Sequence, residues 1–310
     1  MKSQITSPIL LIAFNRPDTT RIVFDKIRQV KPQNLYVAVD GPRNNKDGED
    51  TLINEVCEIV QKVDWDCEAK YLIRENNLGC KHGVSSAISW ALKDEDRVII
   101  IEDDVVAVPA FFNYAEELLE KYKDDHRIAM ISANNYTPIR TIDSDYLFTK
   151  YGHIWGWATW KRVWDKFDIE LPYLKNDIEN EYLYTTDISK NEAQYFHKYA
   201  TNILNLMEDN AINAWGPQFA YYRIRNNLLS IIPKVNLASN IGVISSRSNN
   251  KKKNIYWSAN DKFTLSVHPP KVECNIEYDK YHFKKHINMR RNIVQRIIRK
   301  SIESINKIIS

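Results

Sequence analysis

Four apolar residues run without a break into three carboxylates at Val98-Ile99-Ile100-Ile101-Glu102-Asp103-Asp104, and this stretch constrains the fold more than any other. A β-branched run with no polar face has to be covered on both sides, as a strand of a helix-flanked parallel sheet is. The acids then emerge at the strand's carboxyl end, the edge of an open α/β sheet where ligands bind. Adjacent carboxylates repel one another unless a cation or a hydrogen-bonded sugar compensates them, and hard oxygen ligands suit Mg²⁺ or Mn²⁺, which would in turn hold a diphosphate. The same acids would also serve as a solvated turn ahead of a helix N-terminus. On these seven residues alone both readings stand.

The upstream chain has the form that a parallel sheet requires. Pro8 to Phe14 reads as a buried strand stopped by Asn15-Arg16-Pro17-Asp18, and Thr20 to Val30 as a helix with Ile22, Val23, Ile27 and Val30 roughly on one face. A strand over Leu35–Val39 ends in Asp40-Gly41-Pro42-Arg43, and a helix follows around Glu49 to Val63. A strand over Glu68–Ile73 ends at Arg74 and the turn Asn76-Asn77-Leu78-Gly79, with a helix over Gly83–Leu92 before the acidic strand. Strand, helix, strand in succession predicts right-handed βαβ units. Three strands therefore end in polar residues that can converge: Asn15 and Arg16, Asp40 and Arg43, and Glu102 to Asp104. No GxGxxG or GxxxxGK[ST] follows the first strand, which disfavours a dinucleotide site or a P-loop.

After Asp104 the sequence predicts a helix over Pro109–Tyr122 and short strands over Arg127–Ser132 and Ser230–Pro233. Residues 134–270 are rich in Trp and Tyr, including Trp155, Trp157, Trp160, Trp164 and Trp215. Such rings stack on sugars, and they also simply fill cores. Apolar and charged contents of 44% and 27% are globular values. No run of 18 apolar residues and no charged-then-apolar leader occurs, so neither a transmembrane helix nor a secretory signal is expected, and cytoplasmic residence is the default. Cys57, Cys67, Cys80 and Cys274 lack metal-ligand spacing and read as reduced structural thiols.

Together, Pro8 to Asp18, Asp40-Gly41-Pro42-Arg43, Asn77-Leu78-Gly79, Glu102-Asp103-Asp104, Trp155-Gly156-Trp157-Ala158-Thr159-Trp160 and Pro233 to Gly242 resemble the bacterial GT-A-fold nucleotide-sugar glycosyltransferases, distantly similar to the N-acetylglucosaminyltransferase I group. The resemblance covers roughly residues 8–270. It implies an α/β, GT-A-like (Rossmann-like), mainly parallel sheet flanked by helices, with residues 1–133 as the nucleotide-sugar-binding half and 134–283 as the acceptor half. It also implies that Arg16 lies near base and phosphates, that Asp40 reads uracil or ribose, that Glu102 and Asp103 face ribose and donor sugar, and that Asp104 ligates Mn²⁺ or Mg²⁺. The implied activity is transfer from a UDP-sugar to a cell-surface or lipid-linked glycan acceptor, with inversion, in polysaccharide biosynthesis. Asn15, Arg74 and Lys81 are added from the residues themselves as phosphate or base contacts, and each reads equally well as an ordinary surface polar residue.

Two departures bear on catalysis. Where the family commonly has Trp-Asp, the Asp being the base, this chain has Trp215-Gly216-Pro217-Gln218, which leaves Asp209 as a candidate base if a loop brings it to the acceptor. Where the family often has Gly-x-Asp-Ala-Thr-His, the chain reads Val243-Ile244-Ser245-Ser246-Arg247-Ser248-Asn249 after Gly242. The alternative is a catalytically silent nucleotide-sugar-binding partner of another glycosyltransferase. A nucleotidyltransferase would need a Gly-rich loop after the first strand.

Residues 284–310 carry eight basic side chains against one acid, Glu303, a net +7 on a remainder of −4. Ile293, Val294, Ile297, Ile298, Ile302, Ile305, Ile308 and Ile309 recur at threes and fours among them, which predicts a C-terminal amphipathic helix. Such a helix suits the inner face of the cell membrane or a second subunit. No fold motif supports nucleic-acid binding.

Overall fold

The computed structural model describes residues 5–137, 142–242 and 258–288. The chain opens with β1 (Ile9–Ala13), α1 (Pro17–Val30), β2 (Asn34–Val39), α2 (Glu49–Val60), β3 (Glu68–Ile73), α3 (Gly79–Asp94) and β4 (Arg97–Glu102). It continues with β5 (Val105–Ala107), α4 (Pro109–Lys121), β6 (Ile128–Ser132), β7 (Tyr146–Thr149), β8 (Trp157–Trp160), α5 (Lys161–Trp164) and α6 (Leu174–Glu179). A 3-10 turn at Tyr182–Thr185 precedes α7 (Lys190–Glu208), α8 (Gly216–Arg225), β9 (Leu229–Pro233), β10 (Ala238–Asn240) and α9 (Ile276–His282), which runs into a π-helical turn at Phe283–Ile287.

Eight strands form one sheet in the order β3-β2-β1-β4-β8-β6-β9-β7, and β5 pairs with β10 in a separate ribbon. The run from β3 to β4 is parallel, β8 is antiparallel to both its neighbours, β6 and β9 are parallel, and β7 closes the edge antiparallel to β9. The expected mixed α/β, mainly parallel sheet is therefore present. Val98 to Ile101 are all buried, as an apolar run with no polar face requires.

α1 begins at Pro17, three residues before the expected start, because proline at the first helical position supplies the right φ and has no amide to waste. It buries Thr20, Val23, Phe24 and Ile27, and Lys31 in the left-handed region ends it. The chain steps from β1 to β2 to β3 in one direction and returns to β4. Right-handed crossovers then place α3 on the face opposite α1 and α2. β1 and β4 adjoin where the strand order reverses, and there a crevice must open at their carboxyl ends.

Strands β7, β8 and β9 come from beyond residue 133 yet complete the same sheet. β8 was not foreseen as a strand: Gly156, at φ +74, turns the chain so that Trp157 lies between Ile100 of β4 and Ser132 of β6. Trp157 packs on Trp215 (5.4 Å), and Phe219, Trp164 and Phe167 extend the cluster, so these aromatics fill the core. The Val243–Asn249 stretch and residues 289–310 of the expected amphipathic helix lie outside the described residues. Among the described residues, no helix is long and apolar enough to cross a membrane.

Candidate functional site

The loops after β1 and β4 meet at the crevice. Register sets Ile12 beside Glu102, so the next residues of each strand are neighbours: the Phe14 amide donates to Asp103 Oδ2 at 3.0 Å. Arg16, the residue before α1, reaches across to both acids, with Nη1 to Asp104 Oδ2 at 2.7 Å and Nη2 to Asp103 Oδ1 at 3.2 Å. Its side chain remains 46% exposed, whereas Asp103 is buried. Burial, reinforced by the other two acids, pushes Glu102 up to about 8. Burial also raises Asp103 to about 6, with Arg16 and the Phe14 amide opposing it.

The ribbon of β5 and β10 supplies the other wall. Val105 pairs with Asn240, whose Nδ2 donates to Asp104 Oδ1 at 3.2 Å, and the Ile241 amide donates to the Asp104 carbonyl at 2.8 Å. The Gly242 backbone closes on the same carboxylate, so that a Cβ there would stand 2.3 Å from Asp104 Oδ2 and 2.8 Å from Arg16 Nη1. Asn240 could not be singled out from the sequence alone, because a residue more than a hundred positions away creates its role.

Asp40, at the end of β2, accepts from Asn77 Nδ2 (3.0 Å), the Leu78 amide (3.0 Å) and the Gly79 amide (3.1 Å). It thus caps the free amides at the start of α3, which explains why α3 begins at Gly79 and not at Gly83. Arg74 Nη1 stands 4.0 Å from Asp40, Arg74 Nη2 donates to Ser86, and burial lowers the Arg74 pKa. Asn15 turns to the buried Glu49 (2.7 Å), which also binds the Arg43 side chain and amide. Lys81 is buried and its Nζ pairs with Glu170 at 2.7 Å.

The structure thus brings Arg16, Glu102, Asp103 and Asp104 together, with Asp40 and Arg74 on the next strands, while Asn15 and Lys81 engage acids of their own. Asp209 is exposed at the end of α7. Four residues later Asn213 accepts from the Lys81 amide and abuts Gly79, so the segment carrying Asp209 returns to the rim of the cleft. Asn213 was missed because no motif marks it. All four cysteines are free, and Cys80 is exposed near Glu102 and Asp40, whose charges together with burial raise its pKa.

A cavity of about 1070 Å³ lies elsewhere, at the amino ends of β1 and β4, with Thr6, Arg97, Glu116, Glu120 and His268 in its walls. Among the described residues, no three His, Cys, Asp or Glu side chains form a metal-ligand set on their own.

No family model matches this chain, and no curated protein matches it. Among solved structures it is similar to UDP-glucose pyrophosphorylase complexed with UDP-glucose, at 10% identity over 77% of this chain and 95% of that chain, with a TM-score of 0.40. The apo form of UDP-glucose pyrophosphorylase gives 9% identity, 77% and 94% coverage and a TM-score of 0.40. HddC from Yersinia pseudotuberculosis gives 12% identity, 55% and 86% coverage and a TM-score of 0.32. Likeness this distant leaves function to be argued from the residues of the site.

Proposed function

We propose that the chain is a glycosyltransferase that moves a sugar from a UDP-sugar to a cell-surface or lipid-linked glycan acceptor, with inversion and with a divalent cation. The observation that carries this reading is the Arg16 guanidinium held between Asp103 and Asp104 at the β1/β4 crevice. A half-exposed guanidinium there has donors to offer a diphosphate, and the carboxylates it leaves are then available to a cation. The residues suit such an ion: Asp104, seated against Gly242 and steadied by Asn240, would hold Mn²⁺ or Mg²⁺ jointly with diphosphate oxygens, the shared coordination Mg²⁺ prefers. When bound, the ion would supply positive charge to the departing diphosphate.

The other roles follow from the same geometry. Asp40 fixes the turn at Leu78 and Gly79 and keeps lone pairs for a ribose hydroxyl or a uracil N–H. Glu102, whose pKa burial and the neighbouring acids raise, would face the donor sugar. Asp209, on the segment that returns to the rim at Asn213, is the proposed base for the acceptor hydroxyl. The basic segment 284–310 would place the enzyme at the inner membrane surface, beside a lipid-linked acceptor.

The second reading, a silent nucleotide-sugar-binding partner, is favoured by Gly216. The position carries no carboxylate, and a Cβ there would stand 3.2 Å from Ile154 Cδ1, the end of a side chain. A nucleotidyltransferase is disfavoured because Asn15-Arg16-Pro17-Asp18 contains no glycine. UDP release from a panel of UDP-sugars and glycan acceptors, with Mn²⁺ or with EDTA, decides between them. Metal-dependent release from one donor, lost in Asp104→Ala, is expected; tight UDP binding without release under any pairing would favour the silent partner.

A further inference from the structure

Arg223, on α8, is 4% exposed, and no Asp or Glu pairs with it among the described residues. Its Nη1 donates to Ser230 Oγ at 2.7 Å and to the Lys150 carbonyl at 3.4 Å, while the buried Nε donates to nothing. Two residues on, Arg225 shows how the same helix treats a charge that serves only the fold: its Nε and Nη2 grip Asp177 at 2.5 and 3.0 Å. A buried charge without a counter-ion is costly to a fold, and here burial pulls even the guanidinium down to about 10.

The guanidinium lines a cavity of about 260 Å³ behind β7 and β9, with Lys150, His153, Tyr195, Tyr199 and His286 among its walls and no acid. Nε2 of His153 also lacks a partner. Tyr195 and Tyr199 stack at 6.3 Å and form an aromatic wall. At about 30 Å³ per water the space equals roughly nine waters, which suits a monosaccharide-sized ligand better than a nucleotide. Outside the described residues the sequence holds one side-chain carboxylate, Glu303. No residue of the Arg16 cleft lines this cavity, and β9 lies three strand positions from β4, roughly 14 Å at about 4.8 Å per strand.

We propose that this cavity is a second ligand site, for a phosphate monoester of sugar size or smaller, anchored by the Arg223 guanidinium, with the Lys150 ammonium, which donates to the Asp187 carbonyl at 2.8 Å, as a second charge at its wall. The planar fork of an arginine matches phosphate oxygens, and Nη2 of Arg223, which makes no hydrogen bond among the described residues, is the prong left for a ligand, Nε being sealed in. The tyrosine wall would take the organic group. The site stands whether or not the Arg16 cleft transfers a sugar.

Calorimetric titration of the full chain tests it, with sodium phosphate, glucose 6-phosphate, and phosphatidylcholine vesicles with and without phosphatidic acid as separate probes. Saturable binding of at least one phosphate probe is expected, weakened tenfold or more in Arg223→Gln, less in Arg223→Lys, and kept in Arg16→Ala. Free phosphate, phosphosugar and lipid headgroup are told apart by which titration responds to Arg223. Binding lost in Arg16→Ala but unchanged in Arg223→Gln would assign the phosphate to the other cleft and overturn the proposal. No phosphate binding, either by the full chain or by its Glu303→Gln variant, overturns it too. If Arg223→Gln does not fold, Lys150→Gln carries the test: weakening of threefold or more is expected, and unchanged affinity refutes the site.

Discussion

Arg16 and Arg223 carry the same charge and are treated in opposite ways. Arg16 stands half exposed between two carboxylates, whereas Arg223 is buried beside a hydroxyl and a distant carbonyl. In the first region the surplus is negative: three acids face one guanidinium, and burial raises the pKa of Glu102. In the second the surplus is positive, and an arginine has no proton it can readily give up. A site with surplus acid suits a cation and what the cation brings; a site with surplus base suits an anion. The contrast is the ground on which opposite ligands are proposed for the two clefts.

The largest way to break this contrast is Asp104→Ala, expected to lower donor turnover by about 10²–10³-fold with the melting temperature little changed; full activity would remove the metal role from Asp104. Gly242→Ala comes next. Its methyl group would displace the Asp104 carboxylate or Arg16 Nη1, and turnover should fall roughly 10–100-fold, read by steady-state UDP release. On α8 the two arginines should separate in thermal unfolding. Arg225→Met strands the buried Asp177 and costs about 3–5 kcal/mol, whereas Arg223→Met strands no charge, removing only the donor to the Ser230 hydroxyl, and should cost about 1 kcal/mol or less in anion-free buffer. Equal losses at both positions would mean that Arg223 is as well compensated as Arg225.

The smallest effect concerns Glu49, whose bonds to Arg43 and Asn15 hold its pKa near 2, below the usual 4.5. A depressed carboxylate stabilises the fold above its unfolded pKa and loses that contribution as pH falls from about 4.5 toward 2. Arg43→Met should therefore flatten the acid limb of a stability-versus-pH curve while lowering stability at neutral pH. An unchanged acid limb would show that other groups set it.

The first half of the molecule was legible because its signals are local. Apolar runs closed by Pro, Gly or Asp gave β1, β2, β3, β4 and α1 to within a few residues. Where a boundary moved, the cause was distant: α3 starts early because Asp40, at the end of another strand, accepts its first amides. In the second half only β9, read as Ser230 to Pro233, was legible in the same way. Trp157 to Trp160 is too short to announce a strand, and its place between β4 and β6 depends on partners that sequence periodicity cannot name. The capping box of Ser189 and Glu192 was a readable signal for α7 that the Trp and Tyr content obscured. In the cleft, the strand-end rule led to Arg16, Asp40 and the three acids, but Asn213 and Asn240 are delivered by a loop and a short strand far along the chain. The isolation of Arg223 could not be read at all, since lacking a partner is a property of three dimensions.

The insertion of β8 between β4 and β6 has a consequence for how the chain is made. During synthesis β4 emerges with one side unpaired, and its natural neighbour, residues 157–160, follows only after roughly 3–12 s at about 5–20 residues per second. Through that interval the nascent chain presents Val98 to Ile101, an apolar edge with charge only at its ends, Arg97 and Glu102, which is a template for pairing with other chains. A product truncated at residue 133 would keep that edge bare and leave β6 without either of its neighbours, β8 and β9. Yield of a shortened chain would then be limited by self-association, and extension through residue 233 would relieve it.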